Sequence, residues 1–141
     1  MSGLVDAGPL HHVGVVVPRI TDALTFYRDV LGYAEGPVHD LPEQRVKVVF
    51  LTRGESRVEL LEPIDAESGV ARFLAERGRA SLHHLCFAVA DLVGTLDRLS
   101  RDGVELVDRA PRAGALGAVA FIHPRASGGV LIELIQLIQL R

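Results

Sequence analysis

The chain has 141 residues, 48% of them hydrophobic and 23% charged, with 15 Lys and Arg against 18 Asp and Glu for a formal net charge of −3. That length fits one domain or two fused halves sharing a core, and the scattered basic residues make no stripe for a phosphate backbone, so no nucleic acid partner is expected. Cys86 is the sole cysteine, which excludes an intrachain disulfide; with no signal-like N-terminus and no apolar run long enough to cross a bilayer, a cytoplasmic protein without a membrane partner is expected.

Residues 10–17, LHHVGVVV, are apolar and largely β-branched and predict a strand ended by Pro18. Thr21 or Asp22 is placed to cap a helix over ALTFYRDVL at 23–31, with Gly32 to stop it. An edge strand is weakly signalled around Tyr33 and Ala34, and the segment at 36–44, with its two prolines, reads as a connection. Strands are predicted at 46–52 and 57–63, joined by a hairpin turn at Gly54 and Glu55. GVARFLAERG, 69–78, predicts a helix that bridges the halves within 64–81. The second half repeats the plan. A strand at 82–89 leads to a helix from Asp91 through Leu99 that ends near Gly103, and then to a strand at 104–108. A Gly-rich stretch at 113–117, AGALG, reads as a mobile loop or lid, before strands at 118–124 and from Val130. The fold class is therefore α+β, a single domain over 1–141 with βαβββ modules at 10–63 and 82–137.

The two modules carry the same chemistry. LHHVGVVV returns as LHHLCFAV at 82–89, an offset of 72 (82 − 10), and RVELLEP at 57–63 returns as LIELIQL at 131–137, an offset of 74 (131 − 57). Successive strand side chains point to opposite faces, so only one histidine of each pair can face a common site. The His83 face continues with bulky Leu85, Phe87 and Val89, whereas the His84 face continues with Cys86 and Ala88, and His12 likewise shares its face with Gly14. The small-residue faces leave room for a ligand, which selects His12 and His84 and assigns His11 and His83 to structure. Glu59 and Glu133 are each flanked by apolar residues, where an ionised carboxylate is costly unless paired or metal-bound. Any one of the four would ordinarily be structural. Their recurrence at matching intervals points to a centre of two imidazoles and two carboxylates, suited to Co2+, Mn2+, Ni2+, Fe2+ or Zn2+. His39 and His123 read as solvated, as do Arg112 and Arg125, although Arg112, Arg125 and Ser127 are of types that hold a phosphate or carboxylate.

The segments HVGVVV at 12–17, FYRDVLGY at 26–33, LPEQRVKVVFL at 41–51, VELLEPIDAESGVARFL at 58–74, LHHLCFAVADL at 82–92 and HPRASGGVLIEL at 123–134 together resemble the methylmalonyl-CoA epimerase family of the vicinal oxygen chelate (glyoxalase/bleomycin resistance/dioxygenase) superfamily. The resemblance spans about residues 10–136. It implies paired βαβββ modules forming a curved mixed sheet around a divalent metal, commonly Co2+, in a homodimer that takes an acyl-CoA substrate. The family's metal positions fall on His12, Glu59 (Gln in some relatives), His84 and Glu133. The implied reaction interconverts (2R)- and (2S)-methylmalonyl-CoA, or a close malonyl-thioester analogue, through a metal-stabilised enolate. Glu133 is the first candidate for an acid/base group and Glu59 for the other face. The chain departs from the family pattern at Arg45, where Gly is usual, at Val48, where some members carry a catalytic Glu, and at Leu116, where His is frequent. These departures bear on acyl and CoA specificity. The competing readings are a glyoxalase-type isomerase or dioxygenase of the same superfamily, and a non-catalytic binding protein on the same scaffold.

Overall fold

The structure is a computed structural model that describes residues 3–138. The chain divides into two compact units, one comprising His12–His83 and the other the residues from His84 onward together with those up to His11.

The first unit carries β1 (Leu10–Val16) from His12 on, α1 (Ile20–Tyr27), β2 (Ala34–Leu41), β3 (Val46–Arg53), β4 (Ser56–Pro63) and α2 (Gly69–Arg77). Its strands run in the order β2-β3-β4-β1, with β1 parallel to β4 and the other pairs antiparallel. Val15 and Val17 pack with Ile20 and Leu24 of α1 over Val49, Leu51 and Leu60. Each such side chain contributes roughly 1.5–3 kcal/mol by leaving water. Helix α1 begins at Ile20, ahead of the expected Thr21 or Asp22 cap. No side chain of its own caps it; the Ile20 N–H donates to Glu62 Oε1 on β4 at 2.7 Å. It also ends early, because from Arg28 on the Leu24 and Phe26 carbonyls each accept two amides and the helix loosens into turns up to Gly32, at φ 79°. The segment read as a connection, 36–44, is mostly strand. Pro37, which lacks an amide proton, is tolerated because β2 lies at the sheet edge and shifts register between Glu35 and Val38. The β2–β3 turn puts Arg45 in the left-handed region, at φ 58°, with its guanidinium 3.6 Å from Asp65 and 3.8 Å from Glu67. A glycine adopts that conformation without strain, which fits the Gly that the family resemblance implies at this position. Helix α2 matches its prediction, with Ser68 Oγ accepting from the Ala71 N–H and Gly78 left-handed at its end.

The second unit carries β5 (Ser81–Ala88), α3 (Leu92–Arg101), β6 (Arg112–Ala113), β7 (Gly117–Ile122), α4 (Pro124–Ser127) and β8 (Ile132–Leu137), with strand order β5-β8-β7-β6. Its core repeats the first: Val89, Leu92, Leu96 and Leu99 close on Ala120 and Leu134. Asp91 caps α3 through the Gly94 N–H, and the Leu92 N–H donates to Gln136 Oε1 on β8 at 2.8 Å. The N-terminal segment joins this unit, as the Gly8 N–H donates to the Ala88 carbonyl at 2.7 Å and Val5 packs against the core.

Three expectations are corrected here. Residues 104–108 form no strand, only an isolated bridge between Leu106 and Ile122. The Phe121 N–H, which a neighbouring strand would satisfy with a carbonyl, is taken by the Asp108 carboxylate at 2.9 Å. AGALG is a tight hairpin turn between β6 and β7, not a lid: the Gly114 N–H donates to the Gly117 carbonyl at 2.9 Å, and Gly117 lies so close beneath the Gln136 backbone that a Cβ would collide with it. The strand predicted at 118–124 stops at Ile122, because His123 turns to cap α4 with Nδ1 accepting from the Arg125 N–H. Residues 139–140 of the predicted last strand lie outside the described residues. Among the described residues no helix is long and apolar enough to cross a membrane.

Candidate metal centre

In the first unit His12 on β1 and Glu59 on β4 are brought together by parallel pairing that sets Gly14 beside Glu59. His12 Nε2 lies 3.3 Å from Glu59 Oε1, with side chains 1% and 8% exposed. Phe50, opposite Glu59 on β3, meets the His12 ring edge-on at 5.0 Å. The second unit repeats this arrangement. Cys86 pairs with Glu133, His84 Nε2 lies 3.3 Å from Glu133 Oε1 at the same 1% and 8% exposure, and Phe121, opposite Glu133, meets His84 edge-on at 5.7 Å. In each unit the second histidine of the pair meets a glutamate on the strand face that it shares with a small residue, Gly14 or Cys86.

The remaining histidines have other settings. His83 stacks edge-on against Phe73 of α2 at 4.9 Å, a packing role. His11 is buried, and His39 lies half-buried on the edge strand β2. His123 caps α4, with Nε2 3.8 Å from Glu105. Arg125 forms two hydrogen bonds to Glu105, at 3.0 and 2.7 Å, and Ser127 bonds within its own turn. Phe50 and Phe121 were not singled out from the sequence. Their positions opposite Glu59 and Glu133, repeated 71 residues apart (121 − 50), are the signal that marks them.

The imidazole–carboxylate pair in each unit is of a donor chemistry that fits ligation of a divalent ion. Two ligands bound at roughly 2.0–2.2 Å to one ion are about 3 Å or slightly more apart, which matches the 3.3 Å imidazole–carboxylate separation. Burial of an ionised carboxylate costs several kcal/mol unless a cation or hydrogen-bond donor compensates it. Phe50 and Phe121 pack edge-on against the two imidazole rings and restrict their planes. Val48, at the position of the additional Glu of some family members, is fully buried among apolar strand residues, so this chain brings no third carboxylate there.

The comparisons agree with this architecture. Residues 11–121 match the family model of the Glyoxalase/Bleomycin resistance protein/Dioxygenase superfamily. The ethylmalonyl-CoA/methylmalonyl-CoA epimerase of Cereibacter sphaeroides is 36% identical over 132 residues, covering 92% of this chain and 98% of that protein. The chain belongs to the methylmalonyl-CoA epimerase family of that superfamily. The uncharacterized protein YqjC of Bacillus subtilis is 44% identical over 126 residues, 89% of each chain. The crystal structure of methylmalonyl-CoA epimerase from Mycobacterium tuberculosis superposes with a TM-score of 0.89 at 32% identity, covering 99% of this chain and 93% of that one.

Proposed function

We propose that this chain is a divalent-metal-dependent epimerase that interconverts the (2R) and (2S) forms of methylmalonyl-CoA or a closely related malonyl thioester. The observation that carries the reading is the duplicated buried pair, an imidazole nitrogen and a carboxylate oxygen 3.3 Å apart in each unit, in a chain related over nearly its whole length to named epimerases. In this reading His12, Glu59, His84 and Glu133 together hold one ion, with Co2+ the first choice and Mn2+, Ni2+, Fe2+ or Zn2+ as alternatives. When bound, the ion supplies electrophilic polarisation of the two oxygens that flank the substrate's α-carbon.

The chain's own residues do the rest. Inversion requires a proton to leave one face of the α-carbon and another to arrive on the opposite face, so two groups are needed. Glu133 is assigned to one face and Glu59 to the other, each taking or giving the proton at a carboxylate oxygen. Their burial keeps water from competing for the same proton. The relative named for both ethylmalonyl-CoA and methylmalonyl-CoA makes ethylmalonyl-CoA the second substrate to assay. The cytoplasmic location expected from the sequence and the homodimer implied by the family resemblance go with this reading, and light scattering reports the mass of the assembly.

The deciding experiment incubates the protein with methylmalonyl-CoA in deuterium oxide and follows the α-proton by NMR. Exchange should stop on chelation and return when Co2+ is restored. A cobalt-loaded protein that exchanges no proton from any malonyl thioester overturns the assignment.

A further inference from the structure

On the face of the second unit that carries His84 and Glu133, the sheet continues outward through Phe121 to the two-residue strand β6. Arg112 pairs with Val119 across β6 and β7, so its side chain leaves the sheet on the same side as those of Val119 and Phe121. The guanidinium carbon lies 5.8 Å from the centroid of the Phe121 ring, and that same ring meets His84 at 5.7 Å. Arg112 Nε faces Asp108 Oδ1 at 3.3 Å, while Asp108 Oδ2 accepts from the Phe121 N–H at 2.9 Å. The Asp108 side chain is 13% exposed, whereas Arg112 keeps 41% of its own surface in solvent. The strand beneath it is held by the Gly114–Gly117 hairpin and by the close approach of Gly117 to the backbone of β8.

An arginine that is merely solvated has no such setting. Here the side chain, which carries about 2 kcal/mol of rotamer entropy when unrestrained, is stacked on a ring, drawn at Nε by a mostly buried carboxylate, and still accessible. Part of the ordering cost of binding is thus met before a ligand arrives. A guanidinium presents a planar fork that matches a carboxylate bidentately. An acyl group with a free carboxylate approaching Glu133 on this face meets like charge, and the guanidinium one ring away, shared at Nε with Asp108, offsets part of that repulsion.

We propose that Arg112 recognises the free carboxylate of the acyl group and so separates malonyl thioesters from uncharged acyl thioesters. The assignment rests on the function proposed above. It makes Arg112 a specificity-determining residue that the ligand set does not include. A phosphate of CoA is the other anion such a guanidinium could hold, and the test separates the two.

The test titrates cobalt-loaded wild type and Arg112→Gln by calorimetry with methylmalonyl-CoA, propionyl-CoA and CoA itself, folding being checked by circular dichroism. The variant should bind methylmalonyl-CoA about tenfold more weakly and the other two as wild type does. Equal weakening toward all three ligands assigns Arg112 to a phosphate and overturns the proposal, as does unchanged binding of all three. Arg112→Lys keeps the charge and the cover over Phe121 without the planar fork; it should weaken methylmalonyl-CoA severalfold, and wild-type affinity in this variant also overturns the proposal. Failure of the wild type to prefer methylmalonyl-CoA over propionyl-CoA sinks the substrate class itself, an outcome distinct from a fault in Arg112 alone.

Discussion

Adjacent histidines in one strand serve different ends because the pleat turns them to opposite faces. His84 lies 3.3 Å from Glu133, whereas His83 is stacked on Phe73. His84→Ala should weaken cobalt binding by at least about tenfold with a modest change in melting temperature. His83→Ala should lower the melting temperature and leave bound cobalt, measured by elemental analysis, unchanged; equal cobalt loss in both variants would contradict the assigned parity. The sequence predicts this division because small residues, Gly14 and Cys86, share a strand face with His12 and His84. Phe50 and Phe121 were not legible, since an aromatic in an apolar strand has the same pattern whether it fills a core or braces an imidazole. The setting of Arg112 was equally hidden. Asp108, which faces it, ends the 104–108 segment, which the sequence reads as a strand and which holds only a single bridge.

At the scale of elements, each module caps its own helix from its last strand. Glu62 on β4 accepts from the first amide of α1, and Gln136 on β8 accepts from the first amide of α3, an offset of 74 residues (136 − 62) that matches the one between Glu59 and Glu133. Glu62→Ala and Gln136→Ala should each cost about 1 kcal/mol of stability in urea titrations, the usual cost of a lost cap. A sequence scan looks for caps beside the helix and so chose Thr21 or Asp22. The hairpin at 114–117 is likewise set by tertiary contact, and Gly117→Ala should destabilise by roughly 1–3 kcal/mol because its Cβ meets the backbone of β8. Segment 104–108 has strand composition, yet Asp108 supplies a side-chain acceptor where a ladder carbonyl would stand.

The Glu105–Arg125 pair ties that segment to α4. Hydrogen bonding from Arg125, ahead of its Coulombic attraction, holds the Glu105 carboxyl below its ordinary value of 4.5. A carboxyl that is a stronger acid when folded stabilises the fold above its unfolded pKa and loses that contribution as pH falls through the folded one. The melting-temperature gap between wild type and Arg125→Gln should therefore be widest near neutral pH and narrow as pH falls below about 4.5. A gap that does not depend on pH rejects this account.

For the molecule as a whole, the proposed centre asks two units to share one ion, and stoichiometry tests that directly. Wild type should bind one cobalt per chain, and His12→Ala should reduce that to near zero, as should His84→Ala. Two ions per chain, with one retained in each variant, would mean two independent half-sites. The duplicated plan, the α+β class and the four candidate ligands were set by the amino-acid sequence alone, because hydrophobic periodicity and the repeat of His and Glu at matching intervals are properties of a single chain read locally. Caps from distant strands, the early end of α1, the edge strand that tolerates Pro37 and the bracing of Arg112 by Asp108 and Phe121 were decided only by the tertiary structure. The caps depend on residues far apart in sequence satisfying one another's hydrogen bonds, and no local pattern encodes which distant partner will arrive.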